Sequence, residues 1–243
     1  MSFMRNEFKR PALAACAGII LLAEASVADA ALVKSYDFDG TLADTLGNGA
    51  DLQSLGGTLA DGRYSFGANQ GLRLTDALPD TETWANELGF RLNAGEDVGG
   101  YNKLIDFADR SLDQGFYTYS GQFNFYNLGL NAGSVVAGQD LVVGLVRSAG
   151  KLSIFLDKVA VAEVADNGAL GVPPANVLNF FIDDARTAGE SFAGLVDFIR
   201  IHDDASSFGE APDLQPAPVP LPATLPLLAG CLGAMGLWAR RRA

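Results

Sequence analysis

Alternation of apolar and polar residues with a period of two runs from Leu32 to about Asp203 and confines that stretch to strands. It is seen in Leu88 to Asn93, Lys103 to Phe107, Phe116 to Tyr119, Gln122 to Tyr126, Leu141 to Arg147, Lys151 to Leu156, Val159 to Val164, Val177 to Ile182 and Leu195 to Ile201. A helix would scatter such a set around its axis, because its own period is 3.6. Between the strands lie Asn48-Gly49, Asp61-Gly62, Gly99-Gly100, Ser120-Gly121, Ala149-Gly150 and Asn167-Gly168, dipeptides that accept the positive φ of tight hairpins. About a dozen short strands joined mostly by hairpins predict an all-β chain of two antiparallel sheets packed face to face, a jelly-roll sandwich.

The order of these segments carries further information. An opening Tyr36-Asp37-Phe38-Asp39-Gly40, the hairpin Arg147 to Asp157 (RSAGKLSIFLD) and the closing Phe192 to Ser207 (FAGLVDFIRIHDDASS) resemble the concanavalin A-like lectin/glucanase superfamily, especially its laminin-G-like members. Two positions depart from that pattern: Asp157-Lys158 stands where Asp-Gly is usual, and His202 where a tyrosine follows the last strand. The resemblance covers about 170 residues and implies a sandwich that binds carbohydrate or, in the glucanase branch, cleaves it.

The two ends read as addresses. Arg5, Lys9 and Arg10 precede an apolar run from Ala12 to Ala23 and an Ala28-Asp29-Ala30 cleavage site, so residues 1–30 are predicted to be a secretory signal peptide. A sandwich then occupies residues 31–209, a proline-rich linker residues 210–223 and a short apolar helix with basic end residues 224–243. That helix has about fifteen apolar residues, roughly 22 Å at 1.5 Å rise, against the ~30 Å of a bilayer core. The box Val219-Pro220-Leu221-Pro222-Ala223, the apolar run and Arg240, Arg241 and Arg242 together resemble the PEP-CTERM sorting signal in its VPLPA form. That resemblance implies an exosortase-type processing enzyme as partner. It also implies transient anchoring in the inner membrane, then delivery to the surface or exopolysaccharide matrix of a Gram-negative bacterium. Both cysteines, Cys16 and Cys231, lie in these ends, so the sandwich has neither disulfide nor thiolate metal site.

The formal charge of −12 understates the acidity of the middle. The leader holds three basic and three acidic residues and the tail three arginines, which leaves eleven basic and twenty-six acidic residues, a net charge of −15. Such a surface repels nucleic acid and suits a soluble exported domain or one that binds divalent cations.

Several residues are candidates for chemistry. Asp37 to Thr45 (DFDGTLADT) reproduces the first motif of haloacid dehalogenase-like phosphatases, but that fold needs a buried parallel strand before the first Asp and a helix after it. Here Leu32 to Tyr36 alternates and Leu46 to Asp51 is turn sequence. On the sandwich reading Asp37, Asp39 and Asp44, with Asp183 and Asp184 as a second group, either coordinate calcium or cap backbone N–H groups. Glycoside hydrolysis on this fold needs two flanking carboxylates, commonly in E-x-D-x-x-E, which does not occur. Glu82 and Glu87 around Trp84 sit in a stretch read as loop or helical turn, and His202 reads as a surface side chain. For sugar binding, Trp84, Tyr101, Tyr117 and Tyr119 are the aromatic candidates, while Phe116, Phe123 and Phe125 belong to the core by alternation. The expectation is a non-enzymatic, exopolysaccharide-associated binding domain; a structural matrix protein and a glycoside hydrolase are the alternatives.

Overall fold

Fifteen strands form where the apolar residues alternate. In a computed structural model, which describes residues 31–204 except 127, 169 and 171, together with Phe208, they are β1 (Leu32–Tyr36), β2 (Gln53–Ser54), β3 (Thr58–Ala60), β4 (Arg63–Phe66), β5 (Leu72–Leu74), β6 (Trp84–Leu92), β7 (Asn102–Asp106), β8 (Phe116–Tyr119), β9 (Gln122–Phe125), β10 (Leu130–Ala132), β11 (Leu141–Ser148), β12 (Lys151–Leu156), β13 (Val159–Ala165), β14 (Leu178–Phe180) and β15 (Gly194–His202). The predicted signal peptide, linker, VPLPA box and basic tail lie outside the described residues. Among the described residues no helix is long and apolar enough to cross a membrane.

The strands make two sheets in which every pairing is antiparallel. The first runs β13-β12-β11-β6-β15-β4-β3, and β1 also pairs with β15. β6 occupies one edge of β15 throughout, while β4 and β1 share the other, β4 along Gly194 to Val196 and β1 along Ile199 to His202. The second sheet runs β10-β9-β8-β7-β14-β5-β2. A bulge in β15 between Val196 and Phe198 turns Asp197 outward, where it pairs with Arg63 Nε at 2.6 Å, and keeps both Val196 and Ile199 buried.

Three of the six turn dipeptides make tight hairpins, whereas Asn48-Gly49, Gly99-Gly100 and Asn167-Gly168 fall in longer connections. Asp61-Gly62, Ser120-Gly121 and Ala149-Gly150 all take positive φ and join successive antiparallel strands. Asp157-Lys158 does the same with φ of 49° and 66°, so a lysine occupies the left-handed position that glycine takes without cost.

Rings contributed by both sheets close the core. Phe90 of β6 meets Phe123 of β9 edge-on at 6.5 Å, Phe116 stacks on Phe123 at 5.7 Å, and Phe66 of β4 stacks on Phe181 at 5.0 Å. Each fully buried ring contributes about 1.5–3 kcal/mol of transfer energy, and each such pair roughly 0.5–1.5 kcal/mol more. Trp84 belongs to this core: it is fully buried and stacks on Phe107 at 5.5 Å, and β6 begins at this residue, so the stretch read as loop or helical turn is a strand from Trp84 onward, with Glu82 in the bend before it. On the outer face of the first sheet Phe208 returns over Gly144, where an added Cβ would lie 2.3 Å from its ring. Phe208 also packs against Phe155 at 5.3 Å and edge-on to His202 at 5.6 Å. His202 is therefore buried rather than on the surface, and burial pulls its pKa below the ordinary value.

Candidate functional site

The outer face of the second sheet carries the densest collection of polar and aromatic side chains. Register builds it strand by strand. Asn131 of β10 opposes Asn124 of β9, Asn124 opposes Tyr117 of β8, and Tyr117 opposes Lys103 of β7. Beyond them Asp106 of β7 opposes Asn179 of β14, which opposes Arg73 of β5, which opposes Gln53 of β2. Alternation sends all of these away from the inward Phe116, Phe125, Phe180 and Leu72. Lys103 and Asp106 are three apart and would point oppositely, but a bulge between Lys103 and Ile105 returns both to this face.

Two loops cover the middle of the face. Residues 107–115 follow β7, and residues 181–193 lie between β14 and β15. Beneath them Lys103 is fully buried, its ammonium donating to Asp184 Oδ2, 4.0 Å from Asp106 Oδ2 and 4.9 Å from the centre of the Tyr117 ring. Burial pushes the Asp106 carboxyl above its ordinary pKa despite Lys103. Burial also acts to raise Asp184, but Lys103 and the backbone N–H groups of Thr187 and Arg186 outweigh it and hold that carboxyl low. Asp113, Asp184 and Glu190 bring one oxygen each within 4.8 Å of one another. Glu190 is pushed up to about 7 by burial and then by Asp113, and its Oε2 is buried with no hydrogen-bond partner.

Beside this cluster stand four tyrosines. Tyr101 stacks on Tyr119 with ring centres 4.1 Å apart and planes at 12°, and meets Tyr126 edge-on at 5.7 Å and Tyr117 at 5.6 Å. Tyr101, Tyr119 and Tyr126 are half-buried; Tyr117 lies fully beneath them, and its hydroxyl donates to Asp113 Oδ1 at 3.3 Å. Of the sugar-platform candidates, Tyr101 and Tyr119 thus come together at the surface and Tyr117 supports them. Trp84 leaves the set, because a fully buried ring in the core offers no face to a ligand. Tyr126 completes the surface group; alternation placed it opposite Phe125, but only the pairing of β7 with β8 and of β8 with β9 shows what it meets.

The aspartates nominated for calcium do not converge. Asp44 accepts four backbone N–H bonds, from Ser35 and Leu46 on one oxygen and Asn48 and Gly49 on the other. These outweigh burial and hold it below the usual carboxylate range. Asp37 is engaged by Ser35, Thr45 and Arg200, and Asp39 is exposed. Asp183 Oδ2 accepts the N–H groups of Gly189 and Glu190, and Asp184 Oδ1 those of Arg186 and Thr187. Capping, the other role open to these residues, is what Asp44, Asp183 and Asp184 perform. Among the described residues the carboxylates that do converge are Asp113, Asp184 and Glu190, of which the sequence nominated Asp184 alone. Glu82 and Glu87 form no pair, since the first meets Arg147 at 3.3 Å and the second Arg200 at 3.5 Å.

No family model and no curated protein matches this sequence. Solved structures do share its fold. Domain 4 of AbnA, a GH43 extracellular arabinanase from Geobacillus stearothermophilus solved in complex with arabinotriose, is 14% identical with a TM-score of 0.52; the match covers 75% of this chain and 100% of that domain. A Trypanosoma rangeli sialidase in complex with 2,3-difluorosialic acid is 12% identical with a TM-score of 0.57, over 73% of this chain and 32% of the sialidase. The receptor binding domain of a botulinum neurotoxin of C/D mosaic serotype is 10% identical with a TM-score of 0.55, over 73% of this chain and 49% of that one. At such identities the likeness is one of fold, a β-sandwich found in carbohydrate-binding and glycosidase-related proteins.

Proposed function

We propose that this chain is an exported, non-catalytic carbohydrate-binding sandwich of the concanavalin A-like type. Its predicted signal peptide and PEP-CTERM-like tail direct it to the cell surface or exopolysaccharide, with exosortase-type processing at the VPLPA box. The observation that carries this reading is the Tyr101, Tyr119 and Tyr126 group on the outer face of the second sheet. A cluster of half-buried rings at the surface suits the apolar face of a pyranose or furanose ring, and the exposed Asn131 on the adjoining β10 supplies an amide for hydroxyls. The arabinotriose complex of the similar arabinanase domain supports the same reading. Clustering also favours a discrete site over a structural matrix role. A glycan array probed with the full chain tests it: binding to a neutral oligosaccharide is expected, weakened about tenfold or more by Tyr119→Ala. Array binding indifferent to that substitution would remove the tyrosines from the site.

One observation favours hydrolysis as a second reading. Asp113 and Glu190 are close enough for a retaining carboxylate pair, and a carboxyl near 7 is a serviceable general acid. The buried Glu190 Oε2 argues against it, because an acid catalyst must reach the glycosidic oxygen. Release of reducing ends from a bound glycan, abolished by Glu190→Gln, would establish the hydrolase.

A further inference from the structure

On the far side of the second loop from the tyrosines, a pocket of about 500 Å³ opens onto the same sheet face, lined by Arg73, Asp109, Arg110, Ser111 and Asn179 among others. Its size is that of small-molecule sites, roughly 300–1,000 Å³. Its chemistry departs from that of the molecule, which is strongly acidic elsewhere. Arg73 donates through Nε and Nη2 to the two oxygens of Asp109, at 3.2 and 3.0 Å, so these two charges cancel. Arg110 is different. Only its Nε is engaged, by the carbonyl of Asp183 at 2.7 Å, and among the described residues its terminal amines make no hydrogen bond or ion pair. Arg186 beside it is held the same way, Nε on the carbonyl of Ser111 at 2.8 Å. A guanidinium pinned at Nε presents its outer nitrogens in a fixed direction, the geometry that a carboxylate accepts from two donors at once.

The backbone is bent to make this arrangement. Asp109 and Arg110 are consecutive non-glycine residues at φ of 48° and 63°. They are held there by Asp106 Oδ1 accepting the Arg110 N–H at 2.6 Å and by the Arg110 carbonyl accepting the Ala185 N–H at 3.1 Å. Side chains that rarely adopt this conformation do so where surrounding structure enforces it, often at ligand sites. The lining also includes a buried amide. Asn179 is fully buried and its amide nitrogen lies 3.2 Å from Asp106 Oδ1 and 3.4 Å from Asp109 Oδ1. Two carboxylate neighbours fix which end is nitrogen, and Oδ1 is left without a partner.

We infer that this pocket binds a carboxylate-bearing sugar, a uronic acid residue of an acidic polysaccharide, with its carboxylate on Arg110. The inference rests on the carbohydrate-binding reading but uses a different group of residues. Titration calorimetry of the full chain with trigalacturonic acid, its methyl ester and inorganic phosphate tests it. The acid binds, the ester binds at least tenfold more weakly, and phosphate does not displace the acid. Arg110→Gln lowers affinity for the acid about tenfold and leaves the ester unaffected, and Arg110→Lys, which keeps the charge and loses the fork, lies between them. Acid and ester binding alike, no binding of either, displacement by phosphate, or an Arg110→Gln chain that melts normally and binds the acid as before would each overturn the inference. Tyr119→Ala separates the two proposals. Uronate binding that survives it while neutral glycans never bind would leave the pocket standing and remove the tyrosine platform.

Discussion

Glu190 shows how burial and a neighbouring charge set a measurable property of one residue. Its carboxyl is raised to about 7 by burial and Asp113, with Lys103 opposing. The folded chain therefore holds a proton that the unfolded chain, with an ordinary glutamate near 4.5, has released. Between these values the native state binds more protons than the unfolded state, so stability falls as pH rises from about 4.5 to 7. His202 acts in the opposite sense: its pKa is lowered by burial, and its contribution is lost as pH falls below about 6.5. Comparing Glu190→Gln with the parent chain cancels the histidine. The variant should melt with the parent at pH 4 and be more stable at pH 8 by on the order of 1 kcal/mol, a figure reduced for the partial exposure of the group. Equal stability at pH 8 would mean that solvent or a cation already neutralises this carboxylate.

At the scale of elements, turn chemistry makes an independent claim. Lys158 holds φ at 66° in the turn between β12 and β13 and is exposed, so its side chain contributes little packing. A non-glycine residue there costs about 1–2 kcal/mol, and the extra freedom of glycine in the unfolded chain takes back about 0.5–1. Lys158→Gly should therefore raise the urea midpoint by the equivalent of roughly 0.5–1 kcal/mol with no change in slope. The same elements mark what could be read in the chain. Periodicity and turn dipeptides located most strands, because inward residues such as Leu152 and Phe123 alternate with polar ones. The start of β6 is not legible because it puts Asn86 beside Trp84 at a buried position, where a polar residue breaks the pattern. The candidate face was legible only in Tyr101, Tyr117, Tyr119 and Asp184. Lys103, Asp113, Glu190 and Arg110 are brought together by pairing between distant strands and by two loops, and spacing along the chain carries no trace of it.

At the scale of the molecule the question is whether so acidic a chain needs a cation to fold. Sequence alone left calcium coordination and capping both open for its aspartates, and the hydrogen bonds assign Asp44, Asp183 and Asp184 to capping. The carboxylates that converge, Asp113, Asp184 and Glu190, already have an internal cation, since the Lys103 ammonium sits on Asp184, and Glu190, raised to about 7, is only partly ionised at neutral pH. A calcium ion there would have to compete with the ammonium and with the proton on Glu190. Bound calcium at a hundred times its dissociation constant would stabilise the fold by about 2.7 kcal/mol, and at this chain length each kcal/mol moves the midpoint by roughly 2–4 °C. Chelation would then lower the melting temperature by roughly 5–11 °C. The arrangement of Lys103 predicts no such fall: thermal melts at pH 7 with calcium and with a chelator should superimpose. A drop of the calculated size, abolished by Asp113→Asn, would instead show that the ion displaces the proton of Glu190 and completes the cluster.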